Sequence, residues 1–174
     1  MASTGLAGIW IWVRLADWVL VEADLPKPVA GTVLAQMGIR VYGALEQAND
    51  TAEDGLVTES LPSAADPRTP VYLVTGRVES SRVFDTNVGS GMRPAGLELV
   101  IGVGGFRLQA QVDGKADDVA TGSRVAVRGT LFVIGQYEWE GFGLVDTRGD
   151  LKIEETLNQP DGDYLLRLAV PQSP

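Results

Sequence analysis

Apolar and polar residues alternate with a period of two over most of this chain, the pattern of half-buried β-strands. Ile9, Ile11, Val13 and Leu15 point one way, and Trp10, Trp12 and Arg14 the other. Tyr72, Val74 and Val78 share a face with Phe84, and Leu97, Leu99, Ile101 and Val103 share another. Phe106, Leu108, Ala110 and Val112 form the inward set of a returning strand, with Gly104-Gly105 as the hairpin turn between the two. Val125, Val127, Leu131 and Val133 face inward on the next strand, and Leu151–Leu157 and Tyr164–Val170 read as the last two. Trp18 to Asp24 reads as a strand-like run stopped by Pro26 and Pro28, and Val29 to Leu45 holds one or two more strands. Residues 46–70 are acidic and rich in Ser, Ala and Pro. They read as a long loop with a short helix near Leu45–Asn49, and a second short helix is expected before Gly122, at Ala116–Ala120. The expectation is an all-β protein of nine or ten strands without a long amphipathic helix, a small closed or partly open antiparallel β-barrel.

A short pattern recurs three times inside these runs, at Val41-Gly43-Leu45, Val74-Gly76-Val78 and Val127-Gly129-Leu131. Glycine weakens a strand, so it marks a bend, a bulge or a close backbone approach, which a small barrel needs in order to close. The first copy hints at a partial duplication or at extra strands extending the sheet. The domain reading is residues 1–48 as an N-terminal β segment packing on or extending the barrel, 49–70 as an acidic linker, and 71–174 as the barrel.

Composition narrows the chemistry. The 174 residues include no cysteine and no histidine, with 45% apolar residues, 21 Gly, 9 Pro and a net charge of −9. Disulfides, thiol nucleophiles and zinc–thiolate sites are excluded, and so are the usual general base and physiological pH switch. No cofactor or metal is called for, and no catalytic residue is assigned. Asp113, Asp117 and Asp118 lack calcium-loop spacing. Asp146, Asp150, Glu154 and Glu155 read as hairpin charge, and Arg148-Gly149-Asp150 as a hairpin turn. Leu6 to Ala23 contains Arg14, Asp17 and Glu22, so it makes a poor membrane span, and it lacks the marks of a signal peptide. The reading is a soluble, cytoplasmic chain.

The stretch from Val71 to about Leu157 resembles an oligonucleotide/oligosaccharide-binding (OB) barrel, and within that class the bacterial single-stranded-DNA-binding proteins. The residues that carry the resemblance are Val71-Tyr72-Leu73-Val74-Thr75-Gly76-Arg77-Val78, the loop Asp85–Gly96 before Leu97-Glu98-Leu99-Val100-Ile101, and Gly122-Ser123-Arg124-Val125-Ala126-Val127-Arg128-Gly129-Thr130-Leu131. Trp139-Glu140-Gly141-Phe142-Gly143 falls where that family carries a tryptophan-bearing hairpin tip. Residues 1–69 match nothing in the family, and the chain is acidic through its barrel. The resemblance implies a binding face of outward Arg77, Arg107, Arg124, Arg128 and Phe132, with Tyr137, Trp139 and Phe142 as a stacking tip for single-stranded nucleic acid. Two alternatives stand beside it. One is a cavity for an apolar small molecule walled by Trp10, Trp12 or Trp18, in a binding protein or a cyclase or isomerase that works by shape. The other is an acidic protein–protein adaptor. A homo-oligomer is a further expectation.

Overall fold

The computed structural model describes residues 10–49, 51–87, 92–113, 119–135 and 147–169. Its elements in chain order are β1 (Trp10–Leu15), α1 (Asp17–Glu22), β2 (Val33–Glu46), β3 (Gly55–Thr58), β4 (Tyr72–Asn87), β5 (Met92–Val103), β6 (Phe106–Asp113), β7 (Arg124–Ile134), β8 (Gly149–Asn158) and β9 (Tyr164–Ala169). The chain is all-β, and its strands form a ring-closed sheet in the order β3-β4-β5-β6-β2-β7-β1-β9-β8, with further pairings of β4 to β7 and β2 to β8.

Those two extra pairings split the sheet into two closed circuits that share one ribbon. The first runs β4-β5-β6-β2-β7 and returns to β4. The second runs β8-β9-β1-β7-β2 and returns to β8. Each has one parallel pairing, β6 with β2 in the first and β1 with β7 in the second. The antiparallel ribbon β2/β7 belongs to both, and its two strands exchange roles between them.

The correspondence extends to single hydrogen bonds. In the first circuit Gly122 N–H donates to the Val78 carbonyl (2.7 Å), and Val78 N–H donates to the Ser123 carbonyl (2.9 Å). In the second, Gly31 N–H donates to the Ile153 carbonyl (2.7 Å), and Ile153 N–H donates to the Thr32 carbonyl (2.9 Å). Both glycines sit at φ +88°, in the left-handed region that glycine adopts without steric cost. A register shift follows each, between Val78 and Ser80 and between Ile153 and Glu155. The residues agree too. Thr121-Gly122-Ser123-Arg124-Val125 matches Ala30-Gly31-Thr32-Val33-Leu34, and Arg77-Val78-Glu79-Ser80-Ser81 matches Lys152-Ile153-Glu154-Glu155-Thr156.

Inward positions are the alternating aliphatic sets read from the sequence, except that the bulge after Val78 turns Val83, not Phe84, toward the core. Ile11, Val13, Leu15, Ile39, Val41, Val74, Leu99, Ile101, Leu108, Val127, Leu131, Ile153 and Leu168 form one continuous core. The motif glycines mark the tight points. Gly43 and Gly129 face each other across the β2/β7 ribbon. A Cβ on Gly43 would fall on the Arg128 carbonyl oxygen, and one on Gly129 on that of Tyr42. At Gly76 it would fall on the Gly102 carbonyl oxygen. Tyr72 ties the circuits together, because its hydroxyl accepts a hydrogen bond from the Trp12 backbone N–H (2.9 Å). Burial pushes that hydroxyl's pKa up, against the smaller opposing effect of the hydrogen bond.

Several local expectations are corrected. Trp18 to Asp24 is not a strand. Asp17–Glu22 is a helix that buries Val19 and Leu20 and exposes Trp18 and Val21. A short apolar run of this length is ambiguous between the two states. The segment expected as a long loop carries β3, which pairs with Tyr72–Thr75 of β4, and Leu45 and Glu46 end β2 rather than open the expected short helix. Gly149 and Asp150 begin β8 instead of forming a hairpin turn, and an Asp150 carboxylate oxygen accepts from Gln36 N–H (3.1 Å). Gly104-Gly105 is the expected turn, both residues at positive φ. Most of the helix expected at Ala116–Ala120 lies outside the described residues. Among the described residues, no helix is long and apolar enough to cross a membrane.

Candidate functional site

The outer face of β7 carries two chemically distinct ends. Because the inward set is Val125, Val127, Gly129, Leu131 and Val133, the side chains of Arg124, Arg128, Thr130 and Phe132 project outward. From Arg124 to Phe132 such a strand covers about 26 Å, at roughly 3.3 Å per residue.

At the Arg124 end the register brings together three arginines that lie far apart in sequence. Arg124 stands opposite Arg77 on β4, Arg77 stands opposite Gly102 on β5, and Gly102 stands opposite Arg107 on β6. Cross-strand neighbours on one face lie about 5 Å apart. The row is therefore Arg124, Arg77, Gly102, Arg107, with a side-chain gap at the glycine. Two carboxylates reach into it. Asp54, just before β3, pairs with Arg124 and also accepts from Gly104 N–H (3.3 Å). Glu79, at the β4 bulge, lies over Gly102 and pairs with Arg107 (2.6 Å). Arg77 is exposed and donates to the Gly122 carbonyl (3.2 Å). Among the described residues no carboxylate pairs with it. The Arg124 side chain is 11% exposed, and its Nε is buried without a partner. Arg128, farther along β7, pairs with Glu46, which raises the guanidinium pKa.

At the Phe132 end the face is aromatic. Arg40 and Tyr42 on β2 stand opposite Phe132 and Thr130. Tyr42 and Phe132 pack edge to face, with ring centroids 5.2 Å apart at 88°. The buried Arg40 fixes Tyr42 by donating to its hydroxyl (2.7 Å), and it donates also to the Oε1 of buried Gln109 (3.0 and 3.3 Å). Trp18 of α1 is 50% exposed and lines the same groove as this pair. Ala16, Trp18, Val19, Tyr42, Thr130, Phe132 and Val133 line an open groove of about 390 Å³. This is in the size range of small-ligand pockets, and mostly apolar as they are.

Of the residues singled out in the sequence, Arg77, Arg107 and Arg124 come together, Arg128 and Phe132 extend the same face, and Trp18 joins Phe132. Trp10 and Trp12 are not among the groove-lining residues. Trp12 is buried, and Trp10 is 47% exposed with the Arg167 guanidinium 5.5 Å from its ring centroid. Tyr137, Trp139 and Phe142 lie outside the described residues. Sequence reasoning missed Tyr42, Thr130, Asp54 and Glu79. Tyr42 and Thr130 alternate out of phase with the core, which was the signal available. The acids' contacts depend on long-range register. Among the described residues no group of three metal-ligating side chains converges. No family model, curated protein or solved structure matches the chain.

Proposed function

We propose that this chain is a non-catalytic binding module of OB type, and that it holds single-stranded nucleic acid along the outer face of β7 with a base in the Trp18–Tyr42–Phe132 groove. The observation that carries this reading is the groove itself, two exposed or half-exposed rings and a third fixed by Arg40, on the same strand face as the arginine row. The strand order supports it. In each circuit, taken in the order given above, the third strand runs parallel to the fourth and the fifth is antiparallel to both the fourth and the first, an order compatible with an OB barrel whose strands are permuted along the chain. Stacking supplies most of the affinity here, about 1–3 kcal/mol per base. The guanidiniums supply less, because acids already pair with most of them and the net charge is −9.

Tryptophan fluorescence during titration with oligothymidylate tests the proposal. Quenching is expected in the native protein, with affinity weakened roughly 5- to 150-fold in Trp18→Ala, the equivalent of about 1–3 kcal/mol. No response at low salt removes nucleic acid. The paired arginines and the acidic charge favour one second reading, an uncharged planar small molecule in the same groove. That reading predicts that a free nucleobase or another neutral ring binds as tightly as the oligonucleotide and without salt dependence.

A further inference from the structure

We propose that the arginine row on the first circuit is an oxyanion site, built for a phosphate group, in which the Asp54 carboxylate occupies the ligand's place. This rests on the nucleic-acid reading for the source of the phosphate, but not for the site.

The two circuits provide an internal control. The hydrogen-bonded register equates Arg124, Arg77, Gly102 and Arg107 of the first with Val33, Lys152, Ala169 and Trp10 of the second. The second circuit closes with the same glycine, the same paired hydrogen bonds and the same bulge, and with one cation in the row instead of three. Closure therefore does not require the guanidiniums. Nor does local electrostatics favour them, because like charges directly opposite on neighbouring strands are destabilising. Arg77 and Arg124 stand opposite nonetheless. With Asp54 and Glu79 present the row still carries one uncompensated positive charge, at exposed Arg77. The Nε of Arg124 is a buried donor with nothing to donate to. The gap that Gly102 leaves between Arg77 and Arg107 is taken by the Glu79 carboxylate, as Asp54 takes the place beside Arg124.

Guanidinium forks match phosphate oxygens geometrically, and charge-assisted hydrogen bonds of this kind are the strong ones. Asp54 already makes such a bond to Arg124. A phosphate oxygen entering the row competes with that carboxylate, and Asp54 thereby acts as a tethered competitor that sets the affinity. The second circuit has no strand in the position of β3 and no acid in the position of Asp54 among the described residues, so the competitor accompanies the arginine row alone.

The test is calorimetric titration of the full chain with tripolyphosphate at low ionic strength. Asp54→Asn keeps an acceptor for Gly104 N–H while removing the charge, and it should tighten binding about tenfold, a change of about 1.4 kcal/mol. Arg77→Ala, at an exposed position, should weaken binding by a similar factor. Lys152→Ala, its counterpart in the second circuit, should leave binding unchanged. Circular dichroism checks that each variant is folded. Absence of binding in both the native protein and Asp54→Asn overturns the proposal, and so does an equal effect of Lys152→Ala and Arg77→Ala. An abasic oligodeoxynucleotide separates the sources. Competition with tripolyphosphate assigns the site to a polymer backbone, and no competition assigns it to a free polyphosphate. If oligothymidylate fails to quench Trp18 while tripolyphosphate still responds to Arg77 and Asp54, the stacking reading falls and the oxyanion site stands.

Discussion

The two circuits share a hydrogen-bonding scheme and differ in the side chains they turn away from the shared core. In the first, Arg82 on β4 stands opposite Glu98 on β5 and pairs with it at 2.6 Å. In the second, the equivalent neighbours are Leu157 and Leu165. One row along, the order reverses. Ser80 opposite Val100 in the first becomes Glu155 opposite Arg167, 3.4 Å apart, in the second. What does not change is the inward aliphatic set, the glycine at φ +88° and the bulge. Closing such a circuit thus depends on core packing and on a few backbone positions. The outward rows are free to vary, and a charge constellation found in only one circuit calls for an explanation other than folding.

Substitutions at seven positions test this comparison. Gly43→Ala should be the most damaging. The new Cβ meets backbone on the ribbon that both circuits share, so we expect loss of several kcal/mol, read as loss of the cooperative thermal transition. A mild effect would show that the ribbon can spread and that the circuits are less coupled than their pairing implies. Leu165→Ala removes a fully buried side chain and should cost about 2–5 kcal/mol in denaturant unfolding. By contrast, converting Arg82 and Glu98 together to leucine, which gives the first circuit the pair of the second, should be close to neutral. If the double variant is strongly destabilised, the two outer faces are not interchangeable.

Gly31→Ala and Gly122→Ala should each cost about 1–2 kcal/mol. A Cβ meets nothing within 4 Å at either position, and only the left-handed backbone resists it. Equal costs are expected, and unequal ones would break the equivalence at its most conspicuous point. Tyr72→Phe should cost about 1 kcal/mol, for the hydrogen bond to Trp12. It also changes the pH dependence. The folded hydroxyl holds its proton more tightly than the unfolded one. Its contribution is therefore complete below the ordinary tyrosine pKa of about 10 and is lost as pH rises through the higher folded value. Native protein should lose stability in alkali more steeply than the phenylalanine variant, as measured by urea midpoints across that window.

Much of this was legible in the residues. The alternating aliphatic sets located β1 and the strands from β4 to β9, and the three motif glycines marked the points where backbone approaches backbone. The repeat was present as well, in Thr121-Gly122-Ser123 against Ala30-Gly31-Thr32, but its pieces occur in permuted order. A search for consecutive copies passes over it. The helix α1 was hidden because Trp18-Val19-Leu20-Val21 is too short to show its period. The four residues of β3 were hidden by acidic and small neighbours. The outward faces of Arg77, Arg107 and Arg124 followed from strand parity. Their meeting in one row did not, because register between β4, β6 and β7 is a property of the closed circuit.

The pairing of β1 with β9 places Ile11 beside Leu168. On a ribosome that partnership cannot form until nearly 160 residues have been added, after the first circuit's own hairpin has already emerged. Through that interval β1 is an apolar strand without one of its two neighbours. Premature stalling would leave a molecule with one circuit buildable and the other impossible.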